Sequence, residues 1–240
     1  MTQRAAKTDV WLADLDACAV AFADCERATP RLSPDDLARA CAVADPLMQA
    51  RRVNAAISLR LVLERRFGPG LRGVPLPRER LGRPVLPDGF VGAFSLSHCG
   101  GLALIGVTTA DRIGVDLEML RPVRMAERRR VVIEAAAETV LLDGLPIDPV
   151  ARFLQAWVVL EALAKADGRG IGHLLTQLGA VGGRNGHDEA AAMMARELAV
   201  NVAVLDVGGG CFAGIAGSAV APVVLPFPDI AAGIADLIGG

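Results

Sequence analysis

Three short strands in close succession, with helical stretches on both sides, constrain this chain more than any other feature. Residues 93–97 alternate as a strand. Cys99, Gly100 and Gly101 make a turn, and 102–107 read as the hairpin partner. After Ala110, Asp111 and Arg112, a third strand spans 113–118. Upstream, 46–67 is amphipathic and helical, and Gly68-Pro69-Gly70 stops it. Before it, Ser33 reads as an N-cap with Asp36 three residues on. Arg51, Arg52, Arg60, Arg65 and Arg66 make 46–67 the most basic helix, which by itself reads as a solvated face.

Downstream, helices are expected at 123–143 and 150–167, separated by Gly144 and Pro146. The second ends at Gly168-Arg169-Gly170. A glycine-rich turn is expected near 182–186, a helical run at 188–197, strands at 198–207 and 211–216, and a short helix at 229–238. Residues 71–92, rich in Pro, Gly and Arg, read as extended or looping.

A chain of 240 residues suits one large domain or two small ones, at roughly 100–200 residues each. Its 52% hydrophobic content excludes wholesale disorder, and the absence of period excludes collagen and a long coiled coil. A formal charge of −2 argues against a dedicated nucleic-acid binder. Five cysteines without a C-x-x-C pair read as small buried hydrophobes in a reducing cytosol. Asp9, Asp14 and Asp16 make the N-terminus a poor signal peptide. The most apolar stretch, 211–228, is broken by Gly214, Gly217, Pro222, Pro226 and Pro228, so no membrane span is expected.

The chemistry concentrates in three places. On a strand, Asp116 and Glu118 stand at i and i+2 and point the same way. Adjacent carboxylates repel, and a hard divalent cation relieves that; the plainer alternative is a strand end fanning its acids into water. On the helix at 150–167, Trp157, Glu161 and Lys165 recur every four residues on one face. The plainer alternative there is an exposed Glu-Lys pair. The chain has 23 Arg and two Lys, so the retention of Lys165 draws attention to it. Third, Ser97 and His98 end a strand beside Gly100 and Gly101, where backbone amides can approach an anion.

Other patterns carry less. Gly208-Gly209-Gly210 after a strand invites a dinucleotide reading, but no helix follows and Pro222 interrupts the unit. His173 and His187 lack partners at metal-ligand spacing. Arg124, Arg128, Arg129 and Arg130 form either a solvated face or a docking patch for an acidic partner.

Taken in order, Gly82-Arg83-Pro84, the 94–100 segment Phe-Ser-Leu-Ser-His-Cys-Gly, the 113–118 segment Ile-Gly-Val-Asp-Leu-Glu and the 157–166 helix resemble the 4′-phosphopantetheinyl transferase superfamily, in its surfactin-activating branch. The last two are the halves of the family's bipartite signature. The resemblance implies an α+β fold of two similar halves related by pseudo-twofold symmetry, with a ligand cleft between them. The division would fall near 108–112, giving a coenzyme A-binding half at 1–110 and a half at 111–240 with the metal site and signature helix. It implies transfer of the phosphopantetheine arm of coenzyme A to a serine of an apo acyl or peptidyl carrier protein, with Mg²⁺ and release of adenosine 3′,5′-bisphosphate. Carried over by position, Asp116, Glu118 and Glu161 would hold the metal. Glu161 is the first choice as base and Glu138 the second, with Lys165 and His98 at the reacting phosphates. Arg52, Arg83, Pro84, Ser97, His98 and Lys165 would hold coenzyme A. A cytoplasmic monomer with no nucleic-acid or membrane partner is expected. The chain departs from the family at Leu160, where a lysine is usual, and around Glu138, where an expected element is barely recognisable. Two rival readings follow: a degenerate homologue that only binds coenzyme A or a carrier protein, and a Mg²⁺-dependent phosphohydrolase.

Overall fold

In this computed structural model the residues described are 7–181, 187, 189–218 and 222–239. The elements run β1 (Thr8–Asp14), α1 (Ala19–Ala28), α2 (Pro34–Ala40), α3 (Pro46–Phe67), β2 (Ala93–Cys99), β3 (Leu102–Thr108) and β4 (Ile113–Met119). There follow α4 (Glu127–Glu138), α5 (Pro149–Asp167), α6 (Ile171–Gln177), α7 (Ala190–Leu198), β5 (Asn201–Leu205), β6 (Cys211–Gly217), β7 (Val224–Pro226) and α8 (Ala231–Gly239). The fold is α+β. One sheet has the order β2-β3-β1-β7 and the other β4-β6-β5.

Local signals set several boundaries. The Ser33 hydroxyl accepts the Asp36 amide while the Asp36 carboxylate takes the Ser33 amide, the reciprocal cap expected there. Asp45 caps α3 by accepting the Met48 amide, and Gly68 closes the helix at φ 82°. Asp148 caps α5 with bonds from Val150 and Ala151.

Alternation along the strands builds a four-layer stack. Trp11, Ala13, Ala103, Ile105 and Val107 face one core, shared with α1, α3 and α8. Val10, Leu104, Ile113, Val115 and Ile215 fill a second core between the sheets. The outer face of the second sheet packs on α4, α5 and α7. Within each sheet a strand, then helices, then a hairpin follow one another, with the hairpin's second strand at the centre of the three: β1, β2, β3 and then β4, β5, β6. All these pairings are antiparallel. The segment after β6 returns to the first sheet. There β7 pairs in parallel with β1, Val10 opposite Val224, and Ile234 and Leu237 of α8 enter the first core.

Several expectations are corrected. The basic helix is not a solvated face. Arg60 is 3% exposed and pairs with Asp36 of the α2 cap, Arg51 pairs with Asp16, Arg65 lies over Trp11 and bonds the Leu237 carbonyl, and Arg66 bonds the Lys7 carbonyl. These arginines tie α3 to its neighbours. The cysteines are free as expected, but Cys41 is exposed and Cys18 alone is buried. The helix expected at 123–143 is the shorter α4, because 121–126 holds no regular structure and a turn begins at Thr139. The 182–186 turn lies outside the described residues. Gly208, Gly209 and Gly210, all at positive φ, turn the β5–β6 hairpin and open no helix. Among the described residues no helix is long and apolar enough to cross a membrane.

Candidate active site

Where the two sheets pack, their edge strands β2 and β4 lie against each other, and serine hydroxyls of β2 bond amides of β4. Ser95 Oγ accepts the Val115 amide at 3.1 Å and Ser97 Oγ accepts the Leu117 amide at 3.3 Å. Helix α5 lies on the other side of β4, at unusually close range. A Cβ on Gly114 would collide with the Ala162 carbonyl oxygen and come within 2.6 Å of the Ala166 nitrogen. On β6, one on Gly214 would reach 2.7 Å from the Val158 carbonyl oxygen. Glycine at these two places lets the helix backbone touch the sheet. That contact brings the two acids of β4 against the polar stripe of α5.

The result is a cleft of about 340 Å³ lined by Ser97, His98, Cys99, Asp116, Glu118, Trp157 and Glu161. Asp116 is 5% exposed. Lys165 Nζ donates to its Oδ1 at 2.7 Å and to the Val115 carbonyl at 3.1 Å, and Ser97 Oγ donates to the same Oδ1 at 2.8 Å. Glu118 is held by Arg121, with Nη2 to Oε1 at 3.0 Å and Nε to Oε2 at 3.2 Å. The Cys99 thiol lies 3.7 Å from Glu118 Oε2. Glu161 Oε2 is buried and, among the described residues, has no hydrogen-bond partner.

Burial raises the pKa of Asp116, against the opposing pull of Lys165 and the Ser97 bond, with the Glu118 charge adding to the rise. Burial likewise raises Glu161; Lys165 opposes, and the Asp116 and Glu118 charges reinforce. His98 stands partly in solvent at the mouth, yet desolvation and the cations Arg52 and Lys165 lower its pKa, which favours a neutral imidazole.

Two further hollows adjoin the acidic cleft and share His98 with it. One, about 420 Å³, is lined by Arg78, Arg83, Pro84, Ser95, Lys165 and Gly168. The other, about 460 Å³, is lined by Arg39, Arg52, Arg78, Pro84 and Leu96. Arg52 Nε is buried there with no partner among the described residues. Alternation on β2 puts Ser97 on the inter-sheet side with Asp116, and His98 on the side of Arg52.

Asp116, Glu118, Glu161 and Ser97 line the acidic cleft, Arg52, Arg83, Pro84 and Lys165 line the basic hollows beside it, and His98 borders all three. Glu138 is elsewhere: it pairs with Arg152 in a cluster with Glu134 and Arg130 on α4 and α5. Leu160 is fully buried in the α4–α5–α7 core, so a lysine there would not reach the cleft in this chain. Sequence reasoning missed Arg78 and Arg121. The first was lost among the arginines of 71–92, though it lies five residues before Arg83; the second follows Glu118 by three residues.

Among the described residues no three of His, Cys, Asp and Glu gather tightly enough to form a metal cluster. The donors nonetheless suit a hard cation. Glu161 offers a buried oxygen without a partner, both hydrogen bonds to Asp116 fall on Oδ1, and all three acids are in one cleft. Without a cation the buried Glu161 charge costs stability. Because its folded-state pKa is raised, the stability it contributes is present at low pH and lost as pH rises. Glu161→Gln is therefore expected to melt above wild type at neutral pH in EDTA, and the difference to narrow as pH falls and the native glutamate takes up its proton. Thermal denaturation at neutral and acid pH checks this.

Fold and cleft together define an α+β protein whose acidic cleft opens onto basic hollows. Two curated proteins are similar in sequence. The 4′-phosphopantetheinyl transferase HetI of Nostoc sp. (strain PCC 7120) is 35% identical over 147 residues, covering 60% of this chain and 62% of that protein. The "Putative 4′-phosphopantetheinyl transferase slr0495" of Synechocystis sp. (strain PCC 6803) is 29% identical over 154 residues, covering 61% of each. The chain thus spans less than two thirds of the length of these relatives. No family model matches it.

Proposed function

We propose that this chain is a Mg²⁺-dependent 4′-phosphopantetheinyl transferase of the surfactin-activating type. It would move the phosphopantetheine arm of coenzyme A to a serine of an apo acyl or peptidyl carrier protein and release adenosine 3′,5′-bisphosphate. One observation carries the reading. Two signature segments about forty residues apart in the sequence meet through the Lys165–Asp116 bond, with Glu161 in the same cleft. The names of the two similar proteins support the reaction class.

In this reading Asp116, Glu118 and Glu161 hold Mg²⁺. When bound, the cation would neutralise pyrophosphate charge and stabilise the leaving group. Arg52, Arg83, Pro84, His98 and Lys165 bind coenzyme A across the two basic hollows. Attack by a serine hydroxyl on phosphorus demands positioning and charge neutralisation more than covalent help. Glu161 takes the serine proton, directly or through water. Lys165 and His98 steady the phosphate oxygens. The exposed Arg124, Arg128 and Arg129 offer an acidic carrier protein a docking face.

The recurring strand–helices–hairpin order supports two pseudo-twofold halves, 1–110 for coenzyme A and 111–240 for the metal and signature helix, with 224–239 packed back on the first. A cytoplasmic monomer without nucleic-acid or membrane partners completes the proposal.

The test is the intact mass of an apo carrier protein after incubation with this protein, coenzyme A and Mg²⁺. A gain of one phosphopantetheine, lost when Mg²⁺ is omitted, is expected. Coenzyme A binding without product across several carrier proteins would leave a binding protein only. Adenosine bisphosphate released without a carrier would make it a phosphohydrolase.

A further inference from the structure

A carboxylate stands among the cations of one basic hollow. Asp36 shares the hollow of about 460 Å³ with Arg39, Arg52 and Arg78, and among the described residues it is the single acid of that wall. Local folding puts it there. As the third residue of α2 it closes the reciprocal cap with Ser33, and Arg39, three residues on, falls on the same face. Bonds from the Ser33 amide and hydroxyl, both at 2.9 Å, and from Arg60 Nε at 2.9 Å and Nη2 at 2.5 Å all end on Asp36 Oδ2. The Asp36 charge reaches the cations around it. Burial lowers the Arg78 pKa, Arg39 lowers it further, and Asp36 and Asp35 oppose them.

Arg60 is not part of the wall. Its side chain is 2% exposed, and its remaining bonds go to the Leu71 carbonyl at 2.9 Å and the Ser33 hydroxyl at 3.4 Å. A guanidinium keeps its proton in a protein. A fixed positive charge therefore sits directly behind the one acid that faces the hollow. Stability alone does not call for such a pair, since well-packed apolar residues in place of a buried ion pair are often neutral or stabilising.

We propose that Arg60 is a positioning residue that sets the sign of this hollow: it holds and neutralises Asp36, so that Arg39, Arg52 and Arg78 act on a phosphate unopposed. Arg60 touches no ligand and works through Asp36. The inference rests on the reading of the hollow as part of the coenzyme A site.

A role in folding and a role in charge make different predictions for the two partners. If the pair only clamped α2 to α3, loss of either member would weaken ligand binding alike. If Arg60 cancels Asp36, loss of Arg60 leaves a bare carboxylate against the phosphates, and loss of the Asp36 charge makes the hollow more positive. Asn at position 36 keeps an oxygen for the Ser33 amide and for Arg60, so the cap survives that change.

The experiment measures coenzyme A affinity by calorimetry in EDTA for wild type, Arg60→Met, Asp36→Asn, the double variant and Arg60→Lys. Circular dichroism and Tm report folding. Arg60→Met is expected to weaken coenzyme A binding about 10- to 30-fold at low salt, the scale of one unit charge about 10 Å away at an effective dielectric near 20. The loss should shrink at high salt. Asp36→Asn should bind as tightly as wild type or tighter. The double variant should return to within about threefold of wild type, and Arg60→Lys, which keeps the charge, should stay near it. A double variant no better than Arg60→Met would overturn the proposal, as would weakened binding in Asp36→Asn or wild-type affinity in Arg60→Met. If the wild type itself does not bind coenzyme A, the reading of the hollow fails and the proposal with it. Should Arg60→Met not fold, Arg60→Gln is measured in its place, since it keeps donors for Asp36 and Ser33, lacks the charge and carries the same expected loss.

Discussion

Asp116→Asn is expected to lower kcat/KM for carrier-protein modification by about 10³-fold or more while the protein stays folded. The loss follows from removing the most buried acid of the cleft; several kcal/mol of charge stabilisation at phosphorus correspond to this factor. The fold should survive because Asn accepts the Ser97 hydroxyl bond as Asp does, and Lys165 keeps the Val115 carbonyl. Burial already penalises the Asp116 charge, so the neutral amide removes a desolvation cost. Initial rates by mass spectrometry and the melting curve decide the matter together. Near-wild-type turnover at saturating Mg²⁺ would remove Asp116 from the metal site.

Gly114→Val should act in the opposite way, through the fold. A side chain there meets the Ala162 carbonyl oxygen and the Ala166 nitrogen, which are backbone atoms inside a regular helix and cannot rotate aside. Relief requires lifting α5 off β4, which would open the core that Val158, Leu160 and Leu163 fill. The cost is expected to exceed about 5 kcal/mol, the lower end of total stability for a domain. Insoluble expression, or loss of a cooperative urea transition, is the expected result. A well-folded variant with its cleft intact would mean that α5 does not approach the sheet so closely.

How much of this could be read from residues alone depends on where the deciding contact lies. Helix α3 was legible to the residue because Pro46 and Gly68 are local signals. The hairpin of β2 and β3 announced itself through alternation and the Cys99-Gly100-Gly101 turn. The acids of β4 and the stripe of α5 were visible as spacings, and the structure brings them together. Strand β1 and helix α1 were not seen: α1 has no side-chain cap, and β1 is defined by pairing with β3 and with β7, both distant in sequence. The arginines of α3 looked solvated because their partners, Asp36 and Leu237 among them, lie far off in sequence. Ser97 and His98 were legible as a polar pair at a strand end, whereas the bond from Ser97 to Asp116 was not, because it joins two strands nineteen residues apart.

The return of the chain to its first sheet has a consequence for synthesis. The outer edge of β1 is covered by β7, and about 210 residues separate Asp14 from Val224, some 10–40 s of elongation at ordinary rates. During that interval the nascent first half carries a bare strand edge at Val10, Trp11 and Leu12. Such an edge is a template for wrong pairing with a neighbouring chain. On crowded polysomes the yield of native protein would then be set by how well that edge is shielded until the last strand arrives, more than by the stability of the finished fold.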